Sequence, residues 1–176
     1  WTRTKAYGLG LGGLYLNLKG REAKGTVSPG AEAAALKAEL AARLAALRDG
    51  PGGPAAITRV YDRDAIYAGP YKENAPDLII GYNEGYRASW DGVTGVVNSR
   101  VIEDNTKAWS GDHCIDPALV PGVLFSSLRL NTDKPSIMDI APTALALFGV
   151  APPKHMDGRV LIDPTERTGA REKKVS

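Results

Sequence analysis

The chain has 176 residues, a length that suits one domain with one hydrophobic core. Its formal net charge is +2, from 22 basic and 20 acidic residues that are interspersed, so no nucleic-acid-binding surface is indicated. No apolar run approaches the roughly 20 residues of a membrane-spanning helix. The single cysteine, Cys114, excludes a disulfide within the chain and leaves the cellular compartment open.

The first predicted elements are two short strands within residues 5–18, joined near Gly12 and Gly13, because glycine alternates there with large apolar residues. Asn17 and Arg21 follow at the end of the second strand, where α/β folds place ligand crevices. The planar guanidinium of Arg21 suits a phosphoryl oxygen, so both residues are candidate substrate-binding groups. The alternative for Arg21 is an ordinary surface arginine in a solvated loop.

A helix is predicted next, with Ser28 as its cap and Pro29 in its first position. Residues 49–54, rich in glycine and proline, end it. One face of this helix carries leucines at helical spacing: Leu36, Leu40, Leu44 and Leu47. We expect the helix to pack against a sheet and to carry no chemistry.

Two further strands are indicated at residues 55–61 and 77–82, and a weaker strand signal covers residues 65–68. The run 77–82 is apolar on both faces, as in a strand that is covered on each side. From residue 82 to residue 109 the periodicity is lost, and aromatic and arginine residues are frequent. Such a segment either lines a substrate cleft or seals the core with its aromatic side chains, and the sequence favours neither.

One of the two histidines, His113, lies on a polar turn. Gly111 permits tight-turn geometry, and Pro117 keeps the segment from continuing as a helix. A neutral ring nitrogen of His113 can bind a cation while Asp112 or a backbone carbonyl fixes the tautomer. The alternative is a hydrogen-bonded turn histidine without a metal. Cys114 is expected to be a small buried thiol and not a second ligand, because adjacent side chains project differently.

The remaining elements are a strand at residues 120–125 and a second helix that begins at a capping Asp139 and ends at Gly149. Capping explains Asp139 more economically than a role as a metal ligand. His155 is expected at the surface. Residues 165–176 are polar and basic without a core-forming pattern, which predicts a solvated tail.

Several short motifs recur in one order along the chain. They are residues 4–10 and 14–22, Gly-x-His at 111–113, Pro-Gly-x-Leu-Phe at 121–125, Asp-Ile-Ala-Pro-Thr at 139–143 and Asp-Gly-Arg-x-Leu at 157–161. Together they resemble the C-terminal end of the alkaline phosphatase superfamily, and most of all its type I phosphodiesterase and nucleotide pyrophosphatase branch. The resemblance covers the chain from about Trp1 to Leu161.

The resemblance implies an α/β fold in which a mixed sheet is layered between helices. It also implies that residues 1–162 are the C-terminal portion of a phosphodiesterase-like or phosphatase-like domain, which would be incomplete here, and that residues 163–176 are a polar tail. Members of the superfamily use a Ser or Thr nucleophile between two divalent cations, usually zinc or manganese, held by several Asp and His residues.

His113 matches the late single-histidine site of the superfamily, so the resemblance makes it the expected metal ligand of this chain. No nucleophile motif is recognisable, and the chain therefore contributes no catalytic residue. The nucleophile and most ligands for the two metals are expected upstream of Trp1, in the N-terminal part of the same protein.

The implied reaction is hydrolysis of a small-molecule phosphomonoester or phosphodiester through a covalent phospho-enzyme. Phosphoryl transfer within one molecule and sulfate-ester hydrolysis stay open within the same superfamily. This chain by itself is expected to be inactive. The alternative is a non-catalytic binding or scaffolding module that retains the fold.

Overall fold

A four-stranded antiparallel sheet organises the first of two compact units, residues Trp1–Pro121, and the second unit is Gly122–Ser176. The computed structural model describes residues 1–96, 98–108 and 114–163, apart from the side chain of Val93. The strands are β1 (Ala6–Leu9), β2 (Gly13–Leu16), β3 (Ile57–Asp62) and β4 (Leu78–Tyr82), and their order in the sheet is β1-β2-β4-β3.

The hairpin of β1 and β2 confirms the two strands expected within residues 5–18, with Tyr7 opposite Tyr15. Gly10 has a φ of 72°, which is the left-handed geometry that glycine adopts at no steric cost in such a turn. A Cβ at Gly13 would lie 2.8 Å from Pro76 Cγ and 2.9 Å from the Leu9 carbonyl oxygen, so no larger residue fits there. Glycine thus permits the tight approach of β2 to its neighbours.

The strand predicted at residues 77–82 is confirmed as β4, which lies between β2 and β3. Leu78 is 1 % exposed, whereas Ile79 and Ile80 are only half-buried, so the expected cover of both faces is incomplete among the described residues. The apolar core of the first unit is built around this strand and includes Leu16, Val27, Ala56, Ile57 and Leu78. The α/β class is therefore confirmed, with the four strands paired antiparallel.

Helix α1 (Ala31–Ala45) packs on β3 through the half-buried leucine stripe that its sequence predicts. It begins at Ala31 after Gly30, whose φ is 88°, so the predicted start at Ser28 and Pro29 is wrong by two residues. Glu32 accepts a hydrogen bond from the Ser28 amide at 2.9 Å, which satisfies a donor ahead of the helix. Lys37 Nζ contacts the carboxylates of Asp62 at 2.8 Å and of Asp64 at 2.9 Å. These ion pairs link the helix to the end of β3.

The weak strand signal at residues 65–68 is wrong, because a short helix, α2 (Arg63–Ile66), begins directly after β3. Asp62 causes the change of direction, since its Oδ1 accepts the Asp64 amide at 2.8 Å and caps the new helix. Local capping therefore prevails over a short apolar run in this segment.

In the second unit, helix α3 (Ile140–Leu147) follows a 3₁₀ turn at Ile137–Asp139. The helix ends at Leu147, two residues before Gly149, whose φ is 74°. The strand expected at residues 120–125 is wrong, because the described residues offer this segment no strand partner. Without a partner, Phe125 is 92 % exposed. The buried apolar residues of this unit are Leu161 and Ile162. No helix in the described part of the chain is long and apolar enough to span a membrane.

Candidate functional site

The proposed metal ligand His113 lies outside the described residues, as do residues 109–112. The described chain continues at Cys114, which is only half-buried, so the expectation of a buried thiol is wrong. Ile115 then forms a parallel bridge with Tyr82, and the Asp116 amide donates to the Tyr82 carbonyl oxygen at 2.8 Å. The chain that follows His113 is therefore fixed to the C-terminal end of β4.

Asp116 is the most tightly enclosed carboxylate at this end of the sheet, with no exposed surface. Its Oδ1 accepts the hydroxyl of Tyr61 and the amide of Ala118, both at 2.9 Å. Its Oδ2 has no hydrogen-bond partner among the residues that the structure describes. A Cβ at Gly81 would collide with Oδ2, so glycine is required at this position of β4. Burial and the hydrogen bond to Asp116 raise the pKa of Tyr61, which keeps its hydroxyl a donor at neutral pH.

A cleft of about 660 Å³ lies at the same end of β4, between that strand end and the irregular segment that follows it. The segment is held at its start, because Asn83 Nδ2 donates to the Ala55 carbonyl oxygen at 2.8 Å and Tyr86 donates to Asp49 Oδ2 at 3.0 Å. Within it, the Arg87 guanidinium lies 5.1 Å from the ring centroid of Trp90, which is 49 % exposed. The aromatic and arginine segment thus lines a cleft, and substrate binding in that cleft stays a prediction.

Arg21 forms an ion pair with the buried carboxylate of Asp77 at the other end of the sheet, while its own side chain stays 28 % exposed. Its Nη1 and Nη2 contact the two oxygens of Asp77 at 3.1 and 2.7 Å, and Nη2 also donates to the Leu16 carbonyl oxygen at 2.7 Å. Arg63 Nη1 lies 3.4 Å from the same carboxylate. Burial opposes the charge of Arg21, but the carboxylates of Asp77 and Glu22 raise its pKa above the ordinary value.

Asn17 is fully buried beside this ion pair. Its Nδ2 donates to the carbonyl oxygens of Thr4 at 2.9 Å and Lys24 at 3.2 Å, and its Oδ1 has no hydrogen-bond partner among the described residues. These bonds fix the loop after β2 to the N-terminal segment of the chain. Asn17 thus supports local backbone geometry, and substrate contact by this residue remains a prediction.

The structure does not bring the predicted site residues together. Arg21 contacts Asp77 at the start of β4, whereas Ile115 contacts Tyr82 at the end of β4. Five residues of antiparallel strand span about 17 Å, so Arg21 and the segment after His113 lie at opposite ends of the sheet.

Asp139 stands directly before α3, as predicted, but its side chain makes no capping bond to that helix. Its Oδ2 accepts the Ser136 amide at 2.8 Å, which forms a capping box ahead of α3, and its Oδ1 accepts the Arg159 amide at 2.9 Å. These two backbone donors lower the pKa of Asp139. His155 is exposed, as expected.

The described residues do not form a metal site by themselves. No group of three or more His, Cys, Asp or Glu side chains suited to a cation occurs among residues 1–96, 98–108 and 114–163. A zinc centre takes three or four protein ligands, and the imidazole of His113 would be one of them. A complete centre therefore needs ligands in addition to the described residues.

Sequence reasoning did not identify Asp77, Asp116 or Tyr61. The available signal for Asp116 was the pair Asp116-Pro117, since aspartate before proline often caps a turn. Its burial against Tyr61 depends on a residue 55 positions away, which no local pattern contains.

Comparisons of the chain with known protein families, with curated proteins and with solved structures found no match.

Proposed function

We propose that this chain is the C-terminal part of a metal-dependent phosphoester hydrolase, in which His113 is one ligand of a pair of divalent cations, zinc or manganese. The observation that carries the proposal is the attachment of Ile115 and Asp116 to the end of β4 beside an open cleft. Binding and catalytic residues often lie on loops that a rigid scaffold positions, and small-molecule sites are usually clefts. The order of the motifs supports the same assignment and the alkaline-phosphatase-like layering of helices on the sheet.

The residues of this chain would contribute ligation and substrate binding. A neutral ring nitrogen of His113 would donate its lone pair to a cation, while Asp112 or a backbone carbonyl holds the other ring N–H. The cleft beside Tyr82 has the volume for the organic part of a small phosphoester. When bound, the cations lower the pKa of the attacking hydroxyl and stabilise charge on the transferring phosphoryl group.

The nucleophile and the other ligands are proposed to lie in a preceding N-terminal part of the same protein, because no nucleophile motif is recognisable in this chain. Its substrate is proposed to be a small phosphomonoester or phosphodiester. The 176-residue chain alone should therefore not turn over p-nitrophenyl phosphate or bis(p-nitrophenyl) phosphate. Chelator-sensitive turnover by the purified chain would contradict the assignment of the nucleophile to a preceding part of the protein.

The proposal is tested by His113→Ala in the full-length protein, with His155→Ala as the matched control. We expect His113→Ala to lower the zinc content per protein and the rate on both nitrophenyl esters together, because an undercoordinated cation is held less tightly. His155→Ala should change neither quantity, since His155 is exposed on a loop. Unchanged metal content and rate after His113→Ala would make His113 a turn residue. A full-length protein without bound metal or turnover would favour the non-catalytic binding or scaffolding module.

A further inference from the structure

Strand β1 forms one edge of the sheet, and no described residue pairs with its outer side. The Asn17 amide donates to the Lys5 carbonyl oxygen at 2.8 Å, which fixes the alternation of hydrogen bonds between β1 and β2. In an antiparallel pair, every second residue turns its N–H and C=O away from the neighbouring strand. Because Lys5 and Tyr7 bond toward β2, the backbone groups of Ala6 and Gly8 point outward.

The backbone of Leu16, which lies opposite Ala6 in the hairpin, supports this alternation. The Leu16 amide donates to Asp77 Oδ2, and its carbonyl oxygen accepts Arg21 Nη2, both at 2.7 Å. Leu16 therefore directs its backbone groups away from β1. Ala6 has no backbone bond toward β2 and presents its N–H and C=O at the free edge.

The two edges of the sheet differ in their protection against pairing with another chain. β3, at the opposite edge, contains the charged residues Arg59 and Asp62, and its register shifts between Ile57 and Arg59. Charges and bulges of this kind keep an edge strand from adding a further strand. β1 has the sequence Ala-Tyr-Gly-Leu, without charge, proline or a register shift, and its last two residues are exposed. Its edge is therefore open to a further strand.

Gly8 is not required by the fold of a single chain. Its φ is not positive, and a Cβ at this position would meet only the Gly13 carbonyl oxygen, at 3.9 Å. Glycine inside a strand weakens that strand, and it often marks a place where another backbone approaches closely. The outward N–H and C=O of Gly8 are backbone groups that an approaching strand would bind.

We propose that β1 pairs antiparallel with β1 of a second copy of this chain, about a two-fold axis at Tyr7, which joins two four-stranded sheets into one. In this register Ala6 of each copy faces Gly8 of the other, so the outward N–H and C=O groups of both residues are bonded. Lys5 faces Leu9 and not a second Lys5, which avoids repulsion between like charges. The inference does not rest on the proposed function.

The side chains beside this edge suit a second copy. The Tyr7 ring lies 5.5 Å from the ring of Tyr15 and 5.2 Å from that of Trp1. Tyr7 of the second copy would extend this aromatic cluster, because residues that face each other in a non-hydrogen-bonded pair have Cα atoms about 4.5 Å apart. Leu9, which is 63 % exposed, would be covered by the aliphatic stem of Lys5. A four-residue strand is small against the roughly 20–30 residues a side of a standard interface, so the dimer should be weak and concentration-dependent.

The first test is cysteine cross-linking of the 176-residue chain in a Cys114→Ser background. Tyr7→Cys places two thiols opposite each other across the axis, within the Cα separation of about 7 Å that a disulfide bridges, so mild oxidation should give a covalent dimer. Tyr15→Cys is the matched control on the adjacent strand. Its two copies would be three strand spacings apart, about 14 Å, and should not cross-link. Equal cross-linking at both positions, or at neither, would overturn the proposal.

The second test is sedimentation equilibrium of the unsubstituted chain over about 10 µM to 1 mM, where a weak dimer should form as the concentration rises. Gly8→Pro removes an outward N–H that no strand within the chain uses, a change that edge strands tolerate, and it should abolish the dimer. Circular dichroism checks that this variant folds; if it does not, the cross-linking pair decides. A chain that stays monomeric at every concentration, or a dimer that survives Gly8→Pro, would mean that β1 does not pair with a second copy.

Discussion

Asp77 shows how single residues hold the first unit together. It is a carboxylate with 3 % side-chain exposure that accepts the Leu16 amide at 2.7 Å and faces both Arg21 and Arg63. A charge removed from water in this way is tolerated only when it is paired and hydrogen-bonded. Arg21 supplies two of those bonds, so the stability of the unit depends on it.

We expect Arg21→Ala to lower the free energy of unfolding by about 2 kcal/mol, because it leaves Asp77 buried with fewer donors. Urea denaturation of the chain followed by circular dichroism measures this difference. The control is Arg43→Ala, which deletes an exposed pair with Glu39 at 3.3 Å and should change stability by less than about 0.5 kcal/mol. Equal effects of the two substitutions would mean that Arg21 is not part of a buried network in solution.

The sequence placed Asn17 and Arg21 at a strand end but did not reveal their roles. Arg21 acts through Asp77, 56 positions later in the chain, and such a pairing is fixed only by the folded sheet. Asp116 was overlooked for a similar reason, because an aspartate before proline looks like any exposed cap. The sequence thus predicts which side chains can form an ion pair or a cap, but not which residue far along the chain they contact.

At the scale of elements, hydrophobic periodicity located the strands and the long helix but not their arrangement. Apolar patterns predicted the segments of β1, β2, β3 and β4, but these patterns hold no information on the order β1-β2-β4-β3. The two wrongly predicted strands are segments in which a helix cap, or the lack of a partner strand within the described chain, determines the structure. Asp62 turns residues 63–66 into a helix, and residues 120–125 have no strand partner within the described chain.

The central position of β4 predicts unequal contributions from two leucines. Leu78 on β4 is 1 % exposed, whereas Leu40 on α1 is only half-buried, and no residue of that helix is fully buried. We expect Leu78→Ala to lower the free energy of unfolding by about 3 kcal/mol and Leu40→Ala by about 1 kcal/mol. Chemical denaturation of both variants checks the ratio. A larger loss of unfolding free energy for Leu40→Ala would mean that α1 contributes more than β4 to the hydrophobic core.

The second of the two units combines a small core with strongly exposed apolar side chains. Leu161 and Ile162 are buried, but Val123, Phe125, Ile137 and Phe148 are each more than four-fifths exposed. Large apolar side chains exposed to this extent promote association through hydrophobic contact.

We expect the double substitution Phe125→Ser, Phe148→Ser to reduce the binding of the dye ANS and the self-association of the chain. Its free energy of unfolding should change by less than about 0.5 kcal/mol, because these rings bury little area in the folded chain. The control is Leu161→Ser, which places a hydroxyl in a site that is 1 % exposed and should lower stability by about 3 kcal/mol. Dye fluorescence measures ANS binding, light scattering measures self-association, and urea denaturation measures the stability of each variant. A loss of stability in the double variant as large as that of Leu161→Ser would show that the two phenylalanines are buried in solution.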